Sequence, residues 1–384
     1  MKIIYFVLAL VVSTTFAYAD VRLDAAFNAP GFKGAKTTTV VDKLVLLIDQ
    51  AAPEATLRMS MYEFDDMAVA MALLRASARG VDVQIVLDGR KNKSAAKKSG
   101  TAVNALVDGA QGLQALKCST QNCITFCGGF LGGACRGSRN NHNKFYSISR
   151  LSDGTENVVA VSSANLNEGQ LYWYNDLFIT AGDARLRVGV DQYFAGLVNT
   201  ELAVPLLIQG DVFSLYTFPN KQTDPVLDEL SRVTCQLPGS KIRVIQSRFT
   251  DARVAVAKKL AQLGQAGCDV QVLARHEPSM KSPGSKVAAA LGSLLKILPY
   301  EGKGENQVSK NTNHAKVVVI RASIGGSAQK VDLLLTGSHN LNVNSLKGND
   351  ELLMRVEGNA EIAEKYFDFY DQIVNDAILA GFKL

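Results

Sequence analysis

The sequence is poor in the residues that most often mark a site on their own. It has four histidines and one tryptophan in 384 residues. Its six cysteines do not form the two short Cys-x2-Cys knuckles usual in a four-thiolate zinc site. With two histidines committed elsewhere, three or four metal ligands cannot be assembled at suitable spacing, so neither a metal nor another cofactor is expected. Beyond residue 19 no apolar run approaches the ~20 residues that a membrane-crossing helix needs. There is also no large excess of charge of either sign. The net charge of +5 fits an anionic partner but does not separate a phospholipid from a nucleic acid. What remains is the composition of a folded globular protein, 47% hydrophobic and 20% charged.

The first residues read as an export signal. Lys2 is a short basic start, residues 3–12 are apolar, and Ala17-Tyr18-Ala19 offers small residues for cleavage. A signal over residues 1–19 would leave a chain beginning at Asp20, secreted or periplasmic. In that setting an even number of cysteines points to disulfides. Cys118, Cys123, Cys127 and Cys135 lie close together and allow three pairings. Cys235 and Cys268 each precede an apolar strand-like run, where a bridge between adjacent strands would fit.

The strongest signal is a polar pattern that occurs twice. Asn141-His142-Asn143-Lys144 is matched by Asn313-His314-Ala315-Lys316. An apolar run follows each, then a small-residue turn: Ser162-Ser163-Ala164-Asn165 in one case, Gly337-Ser338-His339-Asn340 in the other. Eleven residues past each Asn stands an acid, Asp176 (176 − 165) and Glu351 (351 − 340).

Apolar periodicity places these motifs in a repeated unit. Residues 56–64, 66–79 and 81–87 read as strand, helix and strand, the pattern of a βαβ unit. Strands are expected over 145–148, 158–162 and 177–180, and a helix over 184–199. The second half repeats the order: strand 241–246, helix 251–263, strand 269–273, strands 317–321, 331–336 and 352–356, helix 360–375. His142 to His314 is 172 residues, Asn165 to Asn340 is 175 and Tyr193 to Tyr366 in the closing helices is 173, so motif, turn and helix share nearly one offset. Upstream the offset is 187 (Asp82 to Asp269), so the first half carries 187 − 172 = 15 extra residues, where the four clustered cysteines lie. Glycine-rich residues 118–135 read as a stapled loop. The expected class is α/β: two similar halves, each a mixed sheet flanked by helices, about a pseudo-twofold axis. The halves would span 20–204 and 226–384, joined by a Pro- and Gly-containing connector at 205–225. Residues 277–313 form a long Lys-bearing segment, read as a mobile loop beside the site.

Alternate residues of a strand share a face, so each His and Lys would point into one pocket. Two such sets could hold a phosphate between two imidazoles and two ammoniums, Lys144 and Lys316. One neutral imidazole can attack phosphorus while the other donates a proton to the leaving oxygen. Asn165, Ser163, Asn340 and Ser338 would supply neutral donors to the phosphate oxygens, and Asp176 and Glu351 would each orient an imidazole. His276 and His339 read as ordinary histidines without a catalytic role, although His339 lies inside a motif, and the single Trp173 reads as core.

The doubled His-x-Lys with Gly-Ser-x-Asn downstream resembles the phospholipase D superfamily over roughly residues 44–375. The resemblance implies a two-half α/β fold with the site at the junction, a covalent phosphohistidine and no required metal. It also implies His142 as nucleophile and His314 as general acid, the reverse being chemically allowed. One departure stands out: the fuller His-x-Lys-x4-Asp pattern (the HKD motif) has Ser149 and Arg321 at its Asp positions. Three functions fit. The first is a secreted phospholipase D, a monomer that touches the membrane surface transiently and hydrolyses head groups or transfers them to alcohols. The second is a secreted nuclease or other phosphodiesterase using the same residues, slightly weakened by the absence of aromatics among the basic stretches. The third is a non-catalytic binding module.

Overall fold

The computed structural model describes residues 21–31, 35–128, 132–298 and 312–384. The expected export signal, and Lys303 and Lys310 of the long basic segment, lie outside these residues.

Each half is built on a βαβ unit. In the first, β2 (Thr56–Met61) and β3 (Asp82–Asp88) run parallel, with Leu57 opposite Val83. The helix Met67–Ala78 links them; Asp66 caps its start by accepting from the Val69 N–H, and Gly80 ends the turn at φ +91°. In the second half, β11 (Lys241–Gln246) and β12 (Asp269–Arg275) pair in parallel across the helix Val254–Gln265. An antiparallel meander then follows each unit: β5 (Lys144–Arg150), β6 (Glu156–Ser162) and β7 (Trp173–Ala181) in the first half; β15 (Lys316–Ile324), β16 (Val331–Gly337) and β17 (Glu351–Glu357) in the second. With β1 (Arg22–Asn28) and β4 (Ile124–Cys127), the first sheet has the order β1-β7-β6-β5-β2-β3-β4. With β8 (Leu207–Gln209), β9 (Ser214–Phe218) and β13 (Leu295–Leu298), the second has β13-β12-β11-β15-β16-β17-β9-β8; β10 (Val233–Thr234) pairs β15 off this path. The two orders are the same from β7 to β4 and from β17 to β13, which is the repeat seen in the offsets.

Three expectations change. Residues 205–225 are more than a connector, because β8 and β9 extend the second sheet beside β17. The cysteine-rich stretch contains a strand, β4, which completes the edge of the first sheet beside β3. Residues 277–298 are ordered into the short helix Ser285–Leu291 and strand β13. The runs of β4, β8 and β13 are too short to show periodicity, and each forms because a neighbouring strand offers unpaired backbone groups. Three disulfides are present: Cys118–Cys123, Cys127–Cys135 and Cys235–Cys268.

Core residues form three clusters. Two fill the outer faces of the sheets, under the helices Thr39–Asp49 and Met67–Ala78 in one half and Val254–Gln265 in the other. The third lies between the halves and joins Phe145, Val161 and Phe178 to Val317, Val319 and Leu352, with the helices Ala184–Val198 and Ala360–Leu379 packed against it. A shared core of this kind makes the halves fold as one unit. Phe178→Ala, at a position with no exposed surface, is therefore expected to cost about 3–5 kcal/mol in chemical denaturation, and both halves should lose structure in a single transition.

Candidate active site

Each motif histidine is seated by the opposite half. Asn141 bridges to Asp350, and the His142 N–H donates to the Asp350 carbonyl at 2.9 Å. In the mirror arrangement β14 (Thr312–Asn313) pairs in parallel with Trp173 and Tyr174, and the His314 N–H donates to the Tyr174 carbonyl at 2.9 Å. The next residue on each receiving strand points back at the ring. His142 Nδ1 lies 2.9 Å from Glu351 Oε2, and His314 Nδ1 lies 3.0 Å from Asn175 Oδ1. The two imidazoles line one cleft.

Asn175, and not Asp176, is thus the counterpart of Glu351. Ser338 Oγ donates to Glu351 and accepts from the Leu352 N–H; Ser163 Oγ donates to Asn175 and accepts from the Asp176 N–H. This register pairs Asn175 with Glu351. The turn before β7 is one residue shorter than the turn before β17, and one residue of slip sends a strand side chain to the other face. Asp176 is fully buried on that other face, bonded to the Thr336 hydroxyl and, at 2.9 Å, to the Tyr366 hydroxyl. Ser163 and Ser338 are likewise buried, and they steady Asn175 and Glu351 instead of lining the cleft.

These bonds assign the tautomers. The Asn175 amide nitrogen donates to the carbonyls of Gln170 and Trp173 at 3.2 and 3.3 Å, so its oxygen faces His314. Glu351 accepts from Ser338 at 2.6 Å and from Asn349 at 2.9 Å, leaving its third bond for His142. Each Nδ1 is therefore placed to donate to its amide or carboxylate oxygen, with Lys316 Nζ also 3.1 Å from His314 Nδ1, and the Nε2 of each ring is left for a substrate in the cleft that both rings line. Burial disfavours the cationic form of both rings, with only His142 offered an opposing anion, Glu351; around His314 the further influences are Lys316, Arg275 and Lys144, all depressing. Lys144 and Lys316 are buried behind the rings and donate to the carbonyls of His142 and His314. Burial pulls the Lys144 ammonium down to about 7.

The cleft encloses about 910 Å³. Asn165 and Asn340 lie on its lining, each with a buried side-chain oxygen that has no partner among the described residues. Tyr62 stands 5.0 Å from His142, ring to ring, and Trp173 stands 5.2 Å from His314. Trp173 is therefore a wall of the site and not purely core. The walls carry ion pairs of opposite sense at matched places: Glu63 with Lys91 at 2.7 Å, and Arg248 with Glu277 at 3.1 Å. Arg275 lies over Trp173, 5.3 Å from the ring, and also pairs with Glu277. Sequence reasoning missed Tyr62, Glu63, Arg248, Arg275 and Glu277. Extending the strand repeat past β2 and β11 would have found some of them, since Glu63 and Arg248 follow the paired strands at the same offset, 248 − 63 = 185 and 241 − 56 = 185.

Outside the cleft, His339 is buried against Phe218, with its Nε2 3.1 Å from Arg253. Ser149 accepts from the Thr56 N–H, and Arg321 pairs with Asp332 and Glu364, so the two departures from the fuller motif serve the sheets. Asp350 accepts from the N–H groups of Cys135, Arg136 and Gly137, which ties the disulfide-bonded loop of the first half to the second. A Cβ at Gly137 would lie 2.2 Å from the Gly348 carbonyl, so the loop needs glycine there. Among the described residues no group of three or more His, Cys, Asp or Glu is placed to hold a metal ion.

A family model described as the PLD-like domain of cardiolipin synthase matches residues 44–198 and 234–374. The chain belongs to the phospholipase D superfamily. No curated protein matches it. Among solved structures, this phospholipase D-like chain is similar to phosphatidylserine synthase from Haemophilus influenzae, at 14% identity and a TM-score of 0.57, covering 91% of this chain and 88% of that one. It is also similar to polyphosphate kinase from Porphyromonas gingivalis, at 11% identity and a TM-score of 0.51, covering 92% of this chain; it spans 50% of the kinase. At these identities the likeness is one of fold.

The geometry separates the two acids. Glu351→Gln is expected to lower kcat on a phosphodiester by at least ~10², the scale of an acid–base contribution. Asp176→Asn is expected to lower it less than about tenfold, because that carboxylate touches neither ring. Steady-state kinetics of the two variants checks this.

Proposed function

We propose that this chain is an exported phosphodiesterase that works through a phosphohistidine intermediate. The observation that carries the reading is the single cleft shared by His142 and His314, each held by the other half with its Nε2 open. One Nε2 attacks phosphorus, and the other imidazole protonates the leaving oxygen, then takes a proton from the attacking water. The side-chain amides of Asn165 and Asn340 and the ammoniums of Lys144 and Lys316 offset charge on the non-bridging oxygens. The intact pair of imidazoles and amides speaks against a purely binding role. No metal is needed for this route, because the imidazoles supply both nucleophile and proton. Export is supported by the three disulfides, which persist in oxidising compartments. No helix among the described residues is long and apolar enough to cross a membrane.

The lining favours a polar substrate chain such as a nucleic acid. Arg90, Lys91, Arg248 and Arg275 line it, with the rings of Tyr62 and Trp173 beside the two histidines. Cations for a phosphate backbone and faces for stacking are the parts a single strand uses. Phospholipid head groups are the second reading. It is favoured by Met280 at the cleft, 47% exposed, and Val343, 48% exposed between the lining residues Asn342 and Asn344, where a rim could meet a membrane surface.

His142→Ala and His314→Ala should each lower turnover by at least ~10³ on whichever substrate the protein takes, and a chelator should leave the native rate intact. On single-stranded DNA the affinity should fall steeply with salt. Head-group release from vesicles without DNA cleavage would reverse the order of the two substrate readings, and activity surviving either histidine change would overturn the mechanism.

A further inference from the structure

The pseudo-twofold arrangement is broken at one atom pair next to the reacting groups. Where Glu351 gives His142 a carboxylate, Asn175 gives His314 an amide. Both are fully buried, or nearly so, and both accept from the ring Nδ1. An amide oxygen fixes the tautomer as well as a carboxylate does, but it brings no negative charge. The two rings are therefore aligned alike and charged differently.

The surroundings widen the difference. Facing His142 are Glu351, Tyr62 and, farther back, Lys144. Facing His314 are Asn175, Trp173, Lys316 and Arg275, which lies over the Trp173 ring. One ring has an anion within hydrogen-bond distance; the other has cations on two sides. A proton shared between them rests on the ring with the anion, since an imidazolium beside a carboxylate is stabilised and one beside ammonium and guanidinium is not.

Resting on the phosphodiesterase reading above, we infer that His314 is the nucleophile and His142 the general acid, with Asn175 as the positioning residue that keeps the nucleophile neutral. This is the reverse of the division implied by the family resemblance. In the first step the His314 Nε2 lone pair forms a P–N bond. The P–O bond to the leaving group breaks, its electron pair stays on oxygen, and that oxygen takes the Nε2 proton of the His142 imidazolium. In the second step water attacks phosphorus and gives a proton to the now neutral His142. The P–N bond breaks and its electron pair returns to His314. The sum is phosphodiester plus water to phosphomonoester plus alcohol, with His142 protonated again. The amide has a use in the second step as well: a phosphorylated imidazole without a carboxylate behind it is the better leaving group. Because His142 serves the leaving oxygen, the departing group lies on the side of Tyr62 and Lys91, and the nucleophile works from the side of Trp173 and Arg275.

The test uses the full disulfide-bonded chain and two substrates, bis(p-nitrophenyl) phosphate and a dialkyl phosphate, from which only an alkoxide can leave. The first substrate is quenched into alkali during turnover and the adduct is mapped by peptide mass spectrometry. In native protein the nitrophenylphosphoryl group should sit on His314. His142→Gln should accumulate that adduct, losing less than about tenfold in the first nitrophenolate burst but ~10²–10⁴ on the alkyl leaving group. His314→Gln should form no adduct and lose both substrates alike. Asn175→Asp should lengthen the lifetime of the adduct roughly five- to tenfold, the difference between a neutral and a charge-assisted hydrogen bond, with a lower melting temperature because the amide's bonds to the Gln170 and Trp173 carbonyls are lost. Mapping of the native adduct to His142, accumulation in His314→Gln instead of His142→Gln, or an Asn175→Asp adduct no longer-lived than the native one would each overturn the assignment. Turnover of no phosphodiester at all by the native chain would overturn the phosphodiesterase reading on which it rests.

Discussion

Two short backbone pairings hold the site together: Asn141 against Asp350, and residues 312–313 against 173–174. Each takes the segment that begins a motif strand in one half and fastens it to the strand of the other. Ring position then follows from main-chain geometry, with no reliance on long flexible side chains. The histidine donates through its backbone, the next residue on the partner strand receives its ring, and the tautomer is settled. Catalytic geometry held on sheet strands is more exact than geometry held on loops. The aromatic walls, the amides of Asn165 and Asn340 and the two wall ion pairs are arranged around rings already fixed in this way.

Such a site is costly to bury. His142, His314, Lys144, Lys316 and Glu351 are all less than 9% exposed, and burial opposes the charged form of each. Hydrogen bonds answer part of that cost: Ser338, Asn349 and His142 for Glu351, and the histidine carbonyls for the lysines. The remainder is offset by the apolar cluster between the sheets, where Tyr366, Phe369 and Tyr370 of the closing helix pack against strands of both halves. Polar strain at the centre and apolar burial beside it are parts of one interface.

Much of this was legible in the sequence because it is carried by periodicity and by rare residues. The βαβ units, the two meanders, the closing helix and the twin motifs follow from alternation and from a constant offset. The pairing of Cys235 with Cys268 follows from their places before apolar runs. What could not be read was register. Counting from Asn165 and Asn340 puts Asp176 opposite Glu351, yet the shorter turn before β7 moves Asn175 into that place. Counting along a chain is blind to a one-residue difference in a turn, and a strand turns that difference into opposite faces. The wall residues differ among themselves: Glu63 and Arg248 lie within reach of the strand repeat, whereas Tyr62 and Arg275 become neighbours of the site only through three-dimensional closure. Short strands such as β4 and β8 exist through the edges they complete, so their own sequences announce little.

The disulfide-bonded loop of the first half ends on Asp350 of the second, which receives the amides of Cys135, Arg136 and Gly137. In the mirror position the first half presents Tyr174, whose side chain holds no carboxylate. Two copies of the first half set face to face would leave that loop without its anchor and both imidazoles against amides. Two copies of the second would set both imidazoles against carboxylates. The halves are thus complements and not interchangeable copies, and a single polypeptide gives every molecule one of each.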